Sequence, residues 1–104
     1  MSQSKHDKAL EKIVKHPEII IPDRLFWSAK ETNFYRSNGN LLCQPDFMAY
    51  TRKGDLYIVE YKGSDNVSSR QKARHQLERA KKFVEDLGFT GNIETLYIGG
   101  KIKC

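Results

Sequence analysis

Three side chains carry the chemistry most legible in this chain. They are Asp46, placed directly after Pro45, and the pair Glu60 and Lys62, with Glu60 fourteen positions beyond the aspartate. Carboxylate oxygens suit Mg²⁺ or Mn²⁺, and Mg²⁺ is commonly held by one or two carboxylates plus a substrate phosphate. A lysine beside them can orient or deprotonate an attacking water while the metal offsets charge developing on the phosphate. The reaction such a set supports is metal-assisted phosphodiester hydrolysis.

For the three to act together, the chain must bring them to one place. Leu41 to Thr51 and Leu56 to Lys62 are rich in β-branched, aromatic and aliphatic residues and flank the turn sequence Arg52-Lys53-Gly54-Asp55, which predicts a β-hairpin. Pairing around that turn sets Asp46 level with the end of the second strand, where Glu60 and Lys62 lie. Period-two alternation puts Ile58, Glu60 and Lys62 on one face of that strand and Tyr57, Val59 and Tyr61 on the other. Pro45 suits a strand end or bulge that needs no ladder donor, which frees Asp46 to turn into a cleft. The plainer alternative is a solvated hairpin whose Glu60 and Lys62 form a surface pair worth under about 1 kcal/mol. Against it, Leu56 to Val59 reads as a central strand buried on both faces, and charges at its end need a reason.

Around the hairpin, a first helix is expected from Lys5 to Lys15. Leu10, Ile13 and Val14 recur at helical spacing, Ser4 and Asp7 form a capping box, and Pro17 ends the element. Leu25-Phe26-Trp27 reads as a short strand or a buried connection. A long helix starts near Ser68 or Ser69 and ends at Leu87 before Gly88, with Ala73, Leu77, Ala80, Val84 and Leu87 as its buried stripe. Asn92 to Ile98 suggests a last strand. The order is αβββαβ, a mixed α/β sandwich with a small sheet flanked by helices.

The chain has 104 residues, the size of one ordinary domain, and residues 1–104 are read as a single unit without repeats or low-complexity linkers. Its 18 Lys and Arg against 13 Asp and Glu give a net charge of +5. From Lys62 to Lys82, seven cations (Lys62, Arg70, Lys72, Arg74, Arg79, Lys81, Lys82) face two anions (Asp65, Glu78), so this stretch holds the entire excess. Such a cluster suits a polyanionic partner. Cys43 and Cys104 make neither a disulfide framework nor a zinc site, and His6, His16 and His75 have no ligand spacing. No apolar run approaches the roughly 18 residues of a membrane span. The first ten residues lack a secretory signal, so a cytoplasmic location is expected, without membrane or organic cofactor.

Pro45-Asp46, the fourteen-residue offset, Glu60-x-Lys62, the hairpin and the basic helix after it together resemble the PD-(D/E)xK nuclease superfamily, over roughly Leu10 to Ile98. That resemblance implies a restriction-endonuclease-like core and a Mg²⁺- or Mn²⁺-dependent endonuclease acting on DNA in repair, recombination, restriction or mobile-element metabolism. It implies that Asp46 and Glu60 ligate the metal with the Tyr61 carbonyl, and that Lys62 is the catalytic lysine. Many members carry a further acid on the first helix. Glu11 is the candidate by position, although it lies about 100° from the centre of the apolar stripe; Asp7 and Glu31 are the alternatives.

Members similar to virus-type replication-repair nucleases and phage exonucleases carry a Gln on the second helix, and Ser68-Ser69-Arg70-Gln71 superficially matches the former. Gln76 falls about 45° from the stripe centre whereas Gln71 points away, so Gln76 is the better neighbour for a site and Gln71 the better capping partner of Ser68. Arg70, Arg74 and Lys81 border one side of the stripe, and Lys72 and Arg79 the other, where they would contact DNA phosphates independently of sequence. Stand-alone members of this size resemble archaeal and phage Holliday-junction resolvases, which work as homodimers, and the DNA partner expected is branched or single-stranded. Two other readings remain: a DNA-binding module that keeps the fold without cutting, and a nuclease subunit of a larger complex such as a transposase.

Overall fold

The computed structural model describes residues 5–63 and 66–99. It contains helix α1 (Lys5–Lys15), strands β1 (Leu25–Lys30), β2 (Phe34–Tyr35), β3 (Leu41–Cys43), β4 (Phe47–Thr51) and β5 (Asp55–Lys62), helix α2 (Val67–Asp86), and strand β6 (Asn92–Gly99). The main sheet has the order β1-β4-β5-β6, with β1–β4 and β4–β5 antiparallel and β5–β6 parallel. It is a mixed sheet between two helices, as the element order implies.

Each helix covers one face. Leu10 and Ile13 of α1 pack with Ile21, Phe47, Ala49 and Val59, while Leu77, Ala80 and Val84 of α2 pack with Met48, Leu56 and Ile58. The alternation along β5 therefore distributes its side chains as the period of two requires, Ile58 toward α2 and Val59 toward α1. That strand is central, and the run from Ile58 to Tyr61 is buried on both faces. The β4–β5 turn needs Gly54, whose φ of 92° lies in the left-handed region. Buried Thr51 closes it: its carbonyl accepts from the Gly54 N–H at 3.1 Å and its Oγ1 from the Asp55 N–H at 3.1 Å.

Several local expectations are corrected. Leu41 to Thr51 is two strands, because the chain breaks at Gln44-Pro45-Asp46; Leu41–Cys43 pairs instead with Phe34–Tyr35 in a separate two-stranded ribbon. Phe34 stacks on Phe83 of α2, with ring centroids 4.6 Å apart, which fastens the ribbon to that helix. Helix α2 begins one residue before Ser68, and its cap is Asn66, whose Oδ1 accepts from the Ser69 N–H at 2.8 Å, so Ser68 is not the cap. Leu87 is 73% exposed and Val14 40% exposed, so neither completes its buried stripe. The Ser4 half of the proposed capping box lies outside the described residues.

These differences set an expectation for stability. Leu77→Ala should cost about 2–5 kcal/mol in urea unfolding and Leu87→Ala under about 0.5 kcal/mol, although both leucines lie on the sequence's apolar stripe. Equal losses would contradict the observed helix end.

Candidate functional site

Pro45 is buried and cannot donate to a ladder, so regular pairing resumes only at Phe47, which lies opposite Val59. One step back along both strands, Asp46 comes level with Glu60. The two acids and their backbones bond reciprocally. The Asp46 N–H donates to Glu60 Oε1 at 3.2 Å, and the Tyr61 N–H donates to Asp46 Oδ2 at 2.8 Å. A third tie comes from the end of β1, where the Glu31 N–H donates to the Asp46 carbonyl at 2.9 Å. Glu31 makes that turn with φ at 52°, a left-handed conformation that a non-glycine residue adopts at a cost of about 1–2 kcal/mol. Asp46 is thus held from both neighbouring strands.

Glu60 is 4% exposed, which removes the solvated-hairpin alternative. Burial pushes its carboxyl up to about 7 from an ordinary 4.5, the neighbouring Asp46 charge adds to the rise, and the Asp46 N–H and the Lys62 ammonium oppose it. Lys62, half-buried, ends the same strand two residues on, within electrostatic range of Glu60. The donor set is oxygen only: two adjacent carboxylates and nearby main-chain carbonyls. Such a set fits a hard divalent cation of the Mg²⁺ type, which takes few protein ligands and fills the rest with water and phosphate.

The remaining candidates are placed as follows. Glu11 is half-buried on α1 and lines a cleft of about 350 Å³ with Asp7, Leu10, Lys30 and Glu31, so all three candidates for a further acid share one cleft. Among the described residues no group of three or more His, Cys, Asp or Glu could hold a metal ion, and Glu11 does not close on the Asp46–Glu60 pair. Gln76 is half-buried on α2, as its angle implied, and its Oε1 is buried without a hydrogen-bond partner among the described residues; Gln71 is exposed. Arg70, Arg74 and Lys81 line a groove beside β6. On the opposite margin of α2, Arg79 lies close enough to Cys43 to pull its thiol pKa down, against a larger rise from burial and from Glu60. Lys72 is exposed.

Two neighbours of the site carry no signature in the sequence. Cys43, 4% exposed, lies within electrostatic range of Glu60. Tyr97 is registered directly beside Glu60 across the parallel β5–β6 pair and faces the same side. The length of the α2 crossover hides that register from any reading of local pattern.

A carboxyl raised in this way contributes stability that is complete below about 4.5 and lost as pH rises through about 7, because the folded chain holds the proton more tightly than the unfolded chain. Glu60→Gln, which cannot ionise, should therefore gain stability relative to the unsubstituted protein as pH rises from 5 to 8 in EDTA. The gain is limited to about 1.4 kcal/mol per pH unit for one proton. A difference in thermal midpoint that stays constant with pH would refute the buried, acid-flanked carboxylate.

No protein-family model and no curated protein matches the chain. Two solved structures do. A repair endonuclease from Pyrococcus abyssi superposes with a TM-score of 0.63 at 13% identity, over 95% of this chain and 39% of its own. EndoMS, in its dsDNA2 complex, superposes with a TM-score of 0.54 at 12% identity, over 100% of this chain and 48% of its own. The chain spans less than half the length of either. It shares the fold of the matched part of two endonucleases, an α/β core with a small mixed sheet and a helix on each face.

Proposed function

We propose that this chain is a metal-dependent endonuclease of the PD-(D/E)xK type that hydrolyses DNA phosphodiester bonds in repair, recombination, restriction or mobile-element metabolism. The observation that carries the reading is the reciprocal Asp46–Glu60 pair, with Lys62 ending the same strand. The fold, shared with a repair endonuclease and with EndoMS in its dsDNA complex, supports it.

In this reading Asp46 and Glu60 would hold Mg²⁺ or Mn²⁺ through their carboxylates, and Tyr61 through its carbonyl. When bound, the ion supplies positive charge to offset what develops on the scissile phosphate. The Tyr61 N–H donates to Asp46 Oδ2, which fixes the carboxylate's direction. Lys62 orients the attacking water and assists its deprotonation. Gln76 offers its buried amide oxygen to a water on the α2 side, whereas Glu11 stays in the α1 cleft apart from the Asp46–Glu60 pair. Arg70, Lys72, Arg74, Arg79 and Lys81 take backbone phosphates, so binding is salt-sensitive and largely independent of sequence.

The test is nicking or cleavage of duplex, single-stranded and branched DNA with Mg²⁺ or Mn²⁺. Glu60→Ala and Lys62→Ala should each lose about 10²-fold or more in cutting while still binding DNA. Alanine at Arg74 or Arg79 should flatten the dependence of log affinity on log salt by about one. Equal cutting by the unsubstituted protein and both site variants would overturn the assignment. Binding with no cutting by the unsubstituted protein would make the chain a DNA-binding module.

A further inference from the structure

The groove beside β6 has a composition that phosphate contacts alone do not explain. Its volume is about 430 Å³, and Leu77, Thr95 and Tyr97 line it together with the cations Arg70, Arg74 and Lys81. A duplex presents phosphates and sugars outward with its bases stacked inside, so cations suffice to hold it. An apolar floor with an aromatic ring between cations is the arrangement used for unpaired nucleotides, whose bases stack on rings while the backbone follows the charge.

We infer that this groove seats an unpaired stretch of DNA strand beside the Asp46–Glu60–Lys62 site, with a base stacked on Tyr97 and the flanking phosphates on Arg70, Arg74 and Lys81. The inference rests on the nuclease reading and names the form of DNA that reading leaves open.

Three placements support it. First, the parallel register sets Tyr97 beside Glu60, Thr95 beside Ile58 and Gly99 beside Lys62, so the groove continues directly from the acids along one sheet face. Second, the Tyr97 ring is folded along its strand over Gly99. A Cβ at position 99 would stand 2.5 Å from the Tyr97 hydroxyl and 2.9 Å from ring carbons Cε2 and Cζ. Glycine there gives the ring a seat at the level of Lys62, where the end of a cleaved strand would lie. Third, Arg70 to Lys81 spans about 16 Å of helix, room for about five nucleotides at roughly 3.4 Å each in a stacked strand.

Among the described residues Glu78 is the one anion lining the groove. Arg74 Nε approaches Glu78 Oε1 at 3.5 Å with both side chains well exposed, a weak pair that a phosphate can displace.

The experiment measures fluorescence anisotropy of the full chain, in EDTA to prevent cutting, with a ten-nucleotide single strand and a blunt duplex of equal length. Tyr97→Ala should weaken single-strand binding about tenfold and duplex binding less than twofold. Tyr97→Leu, which keeps an apolar side chain without a ring, should do the same and replaces Tyr97→Ala if that variant fails to fold. Gly99→Ala, which pushes the ring off its seat, should weaken the single strand in the same direction. Equal losses for both DNA forms, or no loss, would overturn the inference. So would an unchanged affinity accompanied by a shift from dimer to monomer in sedimentation, which would place a second copy of the chain in the groove. Cleavage assays separate the two readings. Selective loss of single-strand binding in a protein that cuts no DNA leaves the groove and removes the nuclease, whereas cutting without selective loss does the reverse.

Discussion

Glu60 holds a carboxyl group at 4% exposure beside the carboxylate of Asp46, and both its burial and its neighbour favour the protonated form. A chain can keep two acids in that relation only if other elements fix both backbones. The central position of β5 does this for Glu60, since its flanking residues are buried on both faces. Asp46 is tied by bonds from β5 and from the left-handed turn at Glu31. Strained backbone at a paired-acid site is the pattern expected where surrounding structure over-determines a functional geometry. Hydrophobic side chains of the same size would stabilise the fold better, so the arrangement points to a use for negative charge.

The same constraint explains where the positive charge sits. After Lys62 the chain enters α2 and returns along the sheet to begin β6 parallel to β5, so the N-terminal half of α2 starts at the acid end of the sheet. Arg70 and Arg74 belong to that half, with Arg79 and Lys81 further along. A +5 excess that could be spread over any basic protein is held by the stretch from Lys62 to Lys82, and six of its seven cations lie on the helix that begins beside the carboxylates. The helix margins divide it further, Arg79 toward Cys43 and the β2–β3 ribbon, and Arg70, Arg74 and Lys81 toward β6.

Much of this arrangement was legible locally. The Glu60-x-Lys62 alternation and the Arg52-to-Asp55 turn were enough to set Asp46 level with Glu60, because a hairpin's register follows from its turn. The bounds of α1 followed from its apolar spacing and Pro17. What escaped depended on tertiary packing or on a signal read too coarsely. Pro45 marked a break that an unbroken strand from Leu41 ignored, and the Phe34–Tyr35 strand is too short to have a period. Leu87 matched the stripe but is the C-cap, one residue past the end of α2, and is exposed. Asn66, three residues before Ser69, was a readable cap. Tyr97 could not be placed by pattern, since a parallel register across a twenty-residue helix has no local determinant.

The two faces of the sheet differ electrostatically in a way that orients a polyanion. Toward α1, the cleft of Asp7, Glu11, Lys30 and Glu31 carries three acids and one base. Toward α2, the groove of Arg70, Arg74, Glu78 and Lys81 carries three bases and one acid. Long-range attraction would therefore favour a phosphate backbone at the α2 face over the α1 face. Glu60 points to that cationic face while Asp46 is tied through its own carbonyl to the N–H of Glu31, at the rim of the acidic cleft. The acid pair thus stands at the boundary between the two fields. Under the proposed nuclease reading, a divalent cation would be drawn from the acidic side and a phosphate from the basic side, and the two would meet at that boundary.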